Sequence, residues 1–236
     1  MSYNAFAEFY DGLTGNVEYK DRAEYIEKLI KSFGREAGTT LDLACGTGSL
    51  TLELYRRGFD IFGVDASIDM LSEAQQKCSE DEQILFICQK MQRLNLASEI
   101  DTCICTLDSI NHLTNPKDVK ETFKRVAKYL SKEGLFIFDV NTLYKHREVL
   151  CDNCFVFDTD EVFCSWQNEL DKETDIVNIT LDFFIPDENG LYFRETEEFS
   201  ERAYSDEDLT QWLSEAGLKI LAIYDDCLLY TSPSPR

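Results

Sequence analysis

The sequence predicts a doubly wound α/β fold, in which helices cover both faces of a mostly parallel β-sheet. Over the first 140 residues, short apolar segments alternate with segments of helical periodicity, which is the pattern of strand–helix–strand units. The strand segments are apolar throughout, as expected of strands that are buried on both faces. After Asn141 the helical periodicity ends, and a stretch rich in Phe, Val and Thr predicts an antiparallel β insertion after the fifth core strand.

Each core element has its own local signal. Apolar residues at helical spacing predict a first helix between Glu18 and Phe33. Gly58 ends a later helix, Ser67 is placed to cap the next one, and Pro116 begins another. The predicted core strands are 39–44, 60–65, 83–88, 101–106, 134–139 and 218–224, and the further helices are 49–57, 67–77, 116–130 and 205–216.

The insertion is predicted to consist of antiparallel strands. Segments 180–185 and 191–194 flank the turn sequence Pro186-Asp-Glu-Asn-Gly190, which predicts a hairpin. Segments 161–170 and 175–185 are predicted to pair with each other because both are rich in β-branched and aromatic residues.

These patterns divide the chain into a core, an insertion and a tail. We expect a cofactor-binding core at 1–146 and 203–227, with an N-terminal lid at about 1–33, and an insertion at 147–202 that covers the substrate cleft. Residues 228–236 end in Ser-Pro-Ser-Pro-Arg and are predicted to be non-native, with the last core strand missing or replaced. If the chain ends there, an unpaired sheet edge should lower stability and promote association.

The charge of the chain limits its partners. Its 23 Lys and Arg against 45 Asp and Glu give a net charge of −22. Such a surface repels nucleic-acid phosphates and anionic lipid headgroups. We therefore expect a small-molecule substrate, no nucleic-acid or membrane partner, and a monomer or homodimer.

The cysteines predict a reducing compartment and no metal. Most of the nine cysteines lie in apolar runs, for example Cys88, Cys103 and Cys105, which is typical of buried thiols in the cytoplasm. The pair Cys151 and Cys154 has the spacing of a zinc site, but no second pair of Cys or His accompanies it.

The motif that carries chemistry is Leu41-Asp-Leu-Ala-Cys-Gly-Thr-Gly48, followed by Gly63-Val-Asp65. A strand here leads into a tight glycine turn, and the next helix points its N-terminal N–H groups at the same place. Asp65 ends the next strand, where an acid can accept hydrogen bonds from both hydroxyls of a ribose. The combination predicts a site for an adenosine-containing cofactor.

The residues around the glycine turn discriminate between such cofactors. A dinucleotide fingerprint requires a third glycine, but Thr51 stands at that position. Asp42 would repel a pyrophosphate, whereas it suits a cofactor with an ammonium and a sulfonium group. The sequence contains no G-x-x-x-x-G-K-[ST] motif, so S-adenosylmethionine fits best.

With these motifs the chain resembles the class I S-adenosylmethionine-dependent methyltransferases, which have a Rossmann-like fold. It is most similar to a small bacterial group with an N-terminal F-x-x-x-Y-D signature. The resemblance extends from Phe6 to about Asp226. It rests on Phe9–Asp11, Leu41–Gly48, Gly63–Met70, Leu107–Asn111, Gly134–Asn141 and Arg202–Ser205.

The resemblance implies a role for each matching position. Gly46 and Gly48 would admit the methionine moiety, Asp65 would hold the ribose, and Tyr10 would fold over the cofactor. The other implied cofactor contacts are the main chain of Ala44 and Cys45, Ala66 and Met70 beside the adenine, Lys90 and Met91, and Leu107 and Asp108 at the methyl-donor end.

The chain departs from the family at two positions. Ala44 replaces a common glycine, which is a tolerated change. Lys90 replaces the Asp that accepts a hydrogen bond from the adenine amino group, and lysine has no acceptor atom. Either Gln89 or the main chain substitutes, or affinity falls by up to about tenfold.

No motif identifies a catalytic base. Methyl transfer from a sulfonium is an in-line displacement that depends mainly on alignment of the two reactants. His112, beside the fourth-strand loop, is the candidate base, and His146 is a second candidate. The alternative for each histidine is a loop residue that takes no part in catalysis. The predicted acceptor contacts are Asn111, Trp166, Arg202 and Tyr204. Arg202 would pair with a substrate anion or form a structural ion pair.

Three functions compete at this stage. The favoured one is a cytoplasmic methyltransferase that acts on an unidentified acceptor, most simply a small molecule. A nicotinamide-dependent oxidoreductase would require a glycine at position 51 and no acid at position 42, and the sequence has neither feature. A non-catalytic S-adenosylmethionine-binding protein is suggested by Lys90 and by the unusual C-terminal residues.

Overall fold

A parallel five-stranded sheet forms the centre of the protein. The computed structural model describes residues 4–13 and 17–224. The strands are β1 (Thr39–Leu43), β2 (Asp60–Asp65), β3 (Phe86–Cys88), β4 (Ile100–Cys105) and β5 (Leu130–Phe138), in the spatial order β3-β2-β1-β4-β5. The chain moves outward from β1 to β3 and then crosses to the other side of β1. The point between β1 and β4 is therefore the switch point of the sheet, where doubly wound folds bind their ligands.

Six α-helices accompany the two sheets in the described residues. They are α1 (Asn4–Leu13), α2 (Tyr19–Ser32), α3 (Ser49–Arg56), α4 (Ile68–Lys77), α5 (Pro116–Tyr129) and α6 (Asp206–Glu215). The predicted cap at Ser67 is confirmed, because its hydroxyl accepts a hydrogen bond from the Met70 N–H at 3.3 Å. A 3-10 turn at Met91–Arg93 and a π-helical segment at Lys145–Leu150 complete the helical elements.

Apolar side chains project from both faces of the central sheet and pack against helices, which confirms the doubly wound α/β prediction. On one face, Leu41 and Cys103 pack with Phe123 of α5 and Trp212 of α6. On the other face, Ile104 packs with residues of α2 and α3. Because both faces are buried, the strands have no polar alternation.

A second, antiparallel sheet follows the central one. Its strands are β6 (Cys154–Asp158), β7 (Phe163–Asp171), β8 (Ile176–Pro186) and β9 (Tyr192–Arg202), paired in chain order. The predicted hairpin is β8–β9 and the predicted antiparallel pair is β7–β8. Phe183 of β8 and Phe9 of α1 lie 6.1 Å apart between ring centroids, and Met70 of α4 packs with them. Helix α1 therefore lies between the second sheet and α4.

One buried amide joins the two sheets. The side chain of Asn111, after β4, donates to the carbonyl of Asn141 at 3.0 Å and to the carbonyl of Arg202 at 2.9 Å. Its Oδ1 accepts from the Asn141 N–H at 2.8 Å, and its own carbonyl accepts from the Arg202 N–H at 2.8 Å. The end of β9 is thereby fixed against the loops that follow β4 and β5.

Two expectations are wrong. Residues 218–224 form no strand, because nothing in the described chain pairs with them or with the outer edge of β5, although Leu218 and Ile220 still pack on the core. Cys88 is exposed, because it ends the edge strand β3, whereas Cys103, Cys105 and Cys164 are buried as expected. The predicted tail at 228–236 lies outside the described residues. No described helix is long and apolar enough to cross a bilayer.

Replacing Asn111 by Ala should lower the free energy of unfolding by about 1–3 kcal/mol, because the buried main-chain groups of Asn141 and Arg202 lose their partners. Urea unfolding measures this change. The matched control is Asn178→Ala, whose amide carbonyl meets Ser200 on the exposed face of the second sheet. The control should change stability by less than about 0.5 kcal/mol. Equal stability of the two variants would contradict the role of Asn111.

Candidate active site

The glycine turn after β1 has the backbone conformation that its residues predict. Gly46 and Gly48 have φ of +54° and +72°, the left-handed region that favours glycine. A Cβ on Gly48 would meet the Ala74 Cβ at 2.8 Å, so this glycine lets α4 approach the turn. A Cβ on Gly46 would meet nothing within 4 Å. Open space therefore lies beside the main chain at Gly46, where a ligand can approach closely.

Asp65 closes one side of this space. Its carboxylate, at the end of β2, accepts hydrogen bonds from the Gly46 N–H at 2.9 Å and the Ser67 N–H at 2.8 Å. These bonds hold the carboxylate against the glycine turn, and each oxygen keeps a lone pair for a further donor. Burial raises the pKa of Asp65, whereas the N–H donors lower it. The arrangement suits a ligand that presents two hydroxyl groups.

Asp42 is a buried carboxylate beneath the turn. Its side chain accepts a hydrogen bond from the Thr51 hydroxyl at 2.5 Å, and no described cation forms an ion pair with it. Burial raises its pKa to about 6, although the Thr51 hydrogen bond opposes this shift. Ionised Asp42 therefore destabilises the protein without ligand, and a nearby positive charge would relieve this cost.

Asp11 attaches helix α1 to the glycine turn and to α4. One oxygen of Asp11 accepts from the hydroxyls of Thr47 at 2.9 Å and Ser49 at 3.1 Å, and the other forms an ion pair with Lys77 of α4. Burial raises the pKa of the Tyr10 phenol, and the carboxylates of Asp108 and Asp65 add to this effect. The predicted contact of Tyr10 with the cofactor stays a prediction.

A further carboxylate, Asp139, fixes the loop that follows β4. Leu107 and Asp108, after β4, have φ of +58° and +50°, which is strained for residues other than glycine. Both of their N–H groups donate to Asp139, at 3.1 and 2.7 Å, and Arg22 of α2 forms an ion pair with the same carboxylate at 2.9 Å. These three contacts compensate for the strain and place the Asp108 side chain in the cleft.

Both histidines lie beside Glu201, a residue that the sequence analysis missed. His112 Nε2 and His146 Nε2 are 3.8 and 3.7 Å from its two carboxylate oxygens. Glu201 is buried at the end of β9, and burial together with Asp108 raises its pKa to about 8. The sequence did contain a signal for the burial of Glu201. Glu201 lies two residues after Phe199 in a strand, so the two side chains share the inward face of that strand. Desolvation lowers the pKa of both histidines, so they tend to be neutral.

The remaining predicted cofactor residues differ in exposure. Ala66 and Lys90 are exposed, Met91 is half-buried and Met70 is buried. The Gln89 amide is already engaged, because it exchanges hydrogen bonds with the main chain of Asn95 at 2.9 and 3.3 Å. The Ala44 and Cys45 N–H groups donate to the Val64 carbonyl at 2.7 and 3.1 Å, which fixes the start of the turn.

The predicted acceptor residues have protein partners in this structure. The Arg202 guanidinium donates to the Thr114 carbonyl at 3.2 Å, and the buried Tyr204 hydroxyl donates to the Leu113 carbonyl. The Trp166 indole donates to Asn168 at 2.8 Å. Asn111 joins the two sheets as described above. Contact of any of these side chains with an acceptor stays a prediction.

Comparisons with known proteins identify the family. Residues 40–134 match a family model described as a methyltransferase domain. A putative methyltransferase of Geobacillus sp. (strain WCH70) is 33% identical, with 100% of this chain and 95% of the relative covered. The putative methyltransferase YqeM of Bacillus subtilis (strain 168) is 34% identical, with 100% and 94% covered.

The structural comparison agrees with these relatives. A crystal structure of an S-adenosylmethionine-dependent methyltransferase from Clostridium acetobutylicum ATCC 824 is 38% identical, with a TM-score of 0.86, and the match covers 96% of this chain and 92% of that one. The chain therefore belongs to the class I S-adenosylmethionine-dependent methyltransferases, and S-adenosylmethionine is its cofactor. This confirms the predicted family, fold, activity and cofactor; the acceptor stays unidentified.

Replacing Asp42 by Asn should stabilise the protein at neutral pH by up to about 3 kcal/mol, because the amide oxygen still accepts from Thr51 and no buried charge remains. The folded-state pKa is raised, so wild-type stability falls as pH rises from about 4 to about 6. The gain in the free energy of unfolding of D42N over wild type should therefore be small at about pH 4.5 and should reach its full size above about pH 7.

Urea unfolding at both pH values measures the difference between wild type and D42N. Asp158→Asn is the matched control, since it removes the same charge from an exposed position. A gain of the same size in both variants would mean that the general negative charge, and not burial of Asp42, is responsible.

Proposed function

We propose that the protein transfers the methyl group of S-adenosylmethionine to a small-molecule acceptor, in the cleft between the central sheet, α1 and β9. The observation that carries this proposal is the meeting of the glycine turn with the Asp65 carboxylate, 2.9 Å from the Gly46 N–H, beside the switch point of the sheet. The net charge of −22 argues against nucleic acid as the acceptor. The eight unpaired cysteines in the described chain support action in the cytoplasm.

Each residue around the turn would contact a different part of the cofactor. Asp65 would accept from both ribose hydroxyls, and Gly46 and Gly48 would let the methionine moiety lie against the main chain. Ionised Asp42 would favour the positive charges of this end of the cofactor. The cofactor supplies a methyl group that its sulfonium already activates, so the protein has mainly to align the acceptor and exclude water.

The adenine would lie at the rim formed by Ala66, Met70 and residues 88–91. Lys90 has no acceptor atom, and the acceptor oxygen of Gln89 is already used by Asn95. The main chain of this segment is therefore left to meet the adenine amino group. Tyr10 would cover the cofactor from α1, and Leu107 and Asp108 would line the methyl-donor end.

Calorimetric titration with S-adenosylhomocysteine, with NAD as the comparison ligand, tests the cofactor site. We expect binding of the first ligand alone. Asp65→Ala should weaken it by about 100-fold, because two hydrogen bonds to a charged acceptor are lost. Asp60→Ala, at the amino end of the same strand, is the matched control and should bind as wild type does.

The result also separates the proposal from its alternatives. Binding of NAD in place of S-adenosylhomocysteine would contradict it. Binding of S-adenosylhomocysteine that Asp65→Ala leaves unchanged would place the cofactor elsewhere. Since replacing Asp65 also removes an acceptor for two main-chain N–H groups, a melting curve of the variant must accompany the titration.

A further inference from the structure

The acceptor end of the cleft contains a group of polar side chains from three elements, of which two are buried and Asp108 is half-buried. Asp108 follows β4, His146 belongs to the π-helical segment after β5, and Glu201 ends β9. The side chains of Glu201 and His146 are 5% and 0% exposed. Asn141 links two of these residues, because its amide donates to Asp108 at 2.7 Å and reaches Glu201 at 3.4 Å.

Donors are few in this group: the Asn141 amide donates to Asp108 and reaches Glu201, and Glu201 has an O–H donor only while it is protonated. Once Glu201 is ionised, both carboxylates only accept hydrogen bonds, and a neutral imidazole has one accepting nitrogen. Neither ring nitrogen of the fully buried His146 has a partner at full hydrogen-bond geometry among the described residues, although the main chain of Asp175 is close enough to raise the pKa of the ring. The Nε2 atoms of His112 and His146 lie 3.8 and 3.7 Å from Glu201, which is beyond hydrogen-bond distance. Buried polar atoms without hydrogen-bond partners cost free energy. A ligand that donates hydrogen bonds to this group would remove that cost.

The charge of the group restricts the chemistry of that ligand. Besides burial, Asp108 raises the pKa of Glu201 by repulsion and by a side-chain hydrogen bond, whereas the Asn141 amide and exposed Lys145 oppose this shift. An acceptor that must react as an oxyanion, such as a phenol or a carboxylic acid, would enter against these carboxylates. An ammonium group brings both N–H donors and a positive charge.

We propose that Glu201 and Asp108, together with His146, bind the acceptor, and that the acceptor is an amine. This inference rests on the proposed function, because it concerns the acceptor side of the same cleft. The ammonium N–H groups would donate to the two carboxylates and to the accepting nitrogen of His146. His112, with a side chain 39% exposed, is the more accessible of the two histidines beside Glu201.

The proton and the methyl group then move in a defined order. With the amine bound, its positive charge keeps Glu201 ionised. The ammonium gives one proton to the Glu201 carboxylate and regains a lone pair. That lone pair forms the new N–C bond, while the electrons of the C–S bond pass to sulfur. The products are a methylated ammonium, S-adenosylhomocysteine and protonated Glu201, and all atoms and charges balance.

The experiment measures amine binding to the complex of the protein with S-adenosylhomocysteine, which already fills the cofactor's own ammonium position. The probes are benzylamine, cyclohexylamine and isobutylamine, each compared with its matched alcohol. We expect at least one amine to bind about tenfold or more tightly than its alcohol. Calorimetry in buffers of different ionisation enthalpy should show proton release on binding at neutral pH, because Glu201 must lose its proton.

Glu201→Gln should remove both the preference for amines and the proton release, while binding of S-adenosylhomocysteine is unchanged. Glu198→Gln, an exposed carboxylate on the same strand, is the matched control and should retain both. A preference that survives in E201Q, or no preference for any of the three amines, overturns the inference. So does weakened binding of S-adenosylhomocysteine in E201Q, which would assign Glu201 to the cofactor. Wild-type protein that does not bind S-adenosylhomocysteine at all would instead refute the proposed function.

Discussion

The cleft depends on carboxylates at the ends of parallel strands that accept hydrogen bonds from the main chain of neighbouring loops. Asp65 holds the glycine turn after β1, and Asp139 holds the left-handed pair Leu107 and Asp108 after β4. In both cases a side chain from one strand fixes the loop that follows the strand beside it. The cleft is therefore shaped by main-chain groups, and side chains such as Asp108 project from a rigid frame.

The second sheet completes the frame on the acceptor side. Asn111 ties the end of β9 to the loops after β4 and β5, and this contact brings Glu201 beside Asp108. The buried carboxylates Asp42 and Glu201 both lack a full ion pair in the described structure. Both are unfavourable for stability when ionised, and in the proposed complexes a positively charged ligand would compensate for each of them.

Local patterns were sufficient to predict most elements of the core. The predicted cap at Ser67 and the start of a helix at Pro116 depend on neighbouring residues alone, and the structure contains both. Residues 218–224 have the composition of a strand but form none, since a strand requires a partner that composition does not report. Strand β6 is short and was not predicted as a separate strand. Its apolar residues Phe155 and Val156 are exposed, so it has no alternation of buried apolar and exposed polar residues that the sequence could reveal. Glu201 was missed because its burial results from contacts between distant parts of the chain, whereas the glycine motif and Asp65 are adjacent in sequence.

Helix α1 has a consequence for the kinetics of the enzyme. Its polar attachment runs through Asp11 to Thr47, Ser49 and Lys77. With Tyr10 covering the cofactor as proposed, exchange of spent for fresh cofactor would require these contacts to break in each catalytic cycle, and such openings limit turnover in many enzymes. Because the Asp11 carboxylate is partly exposed, dissolved salt weakens its ion pair with Lys77. Ionic strength would thus act on the rate of product release, even for an uncharged acceptor.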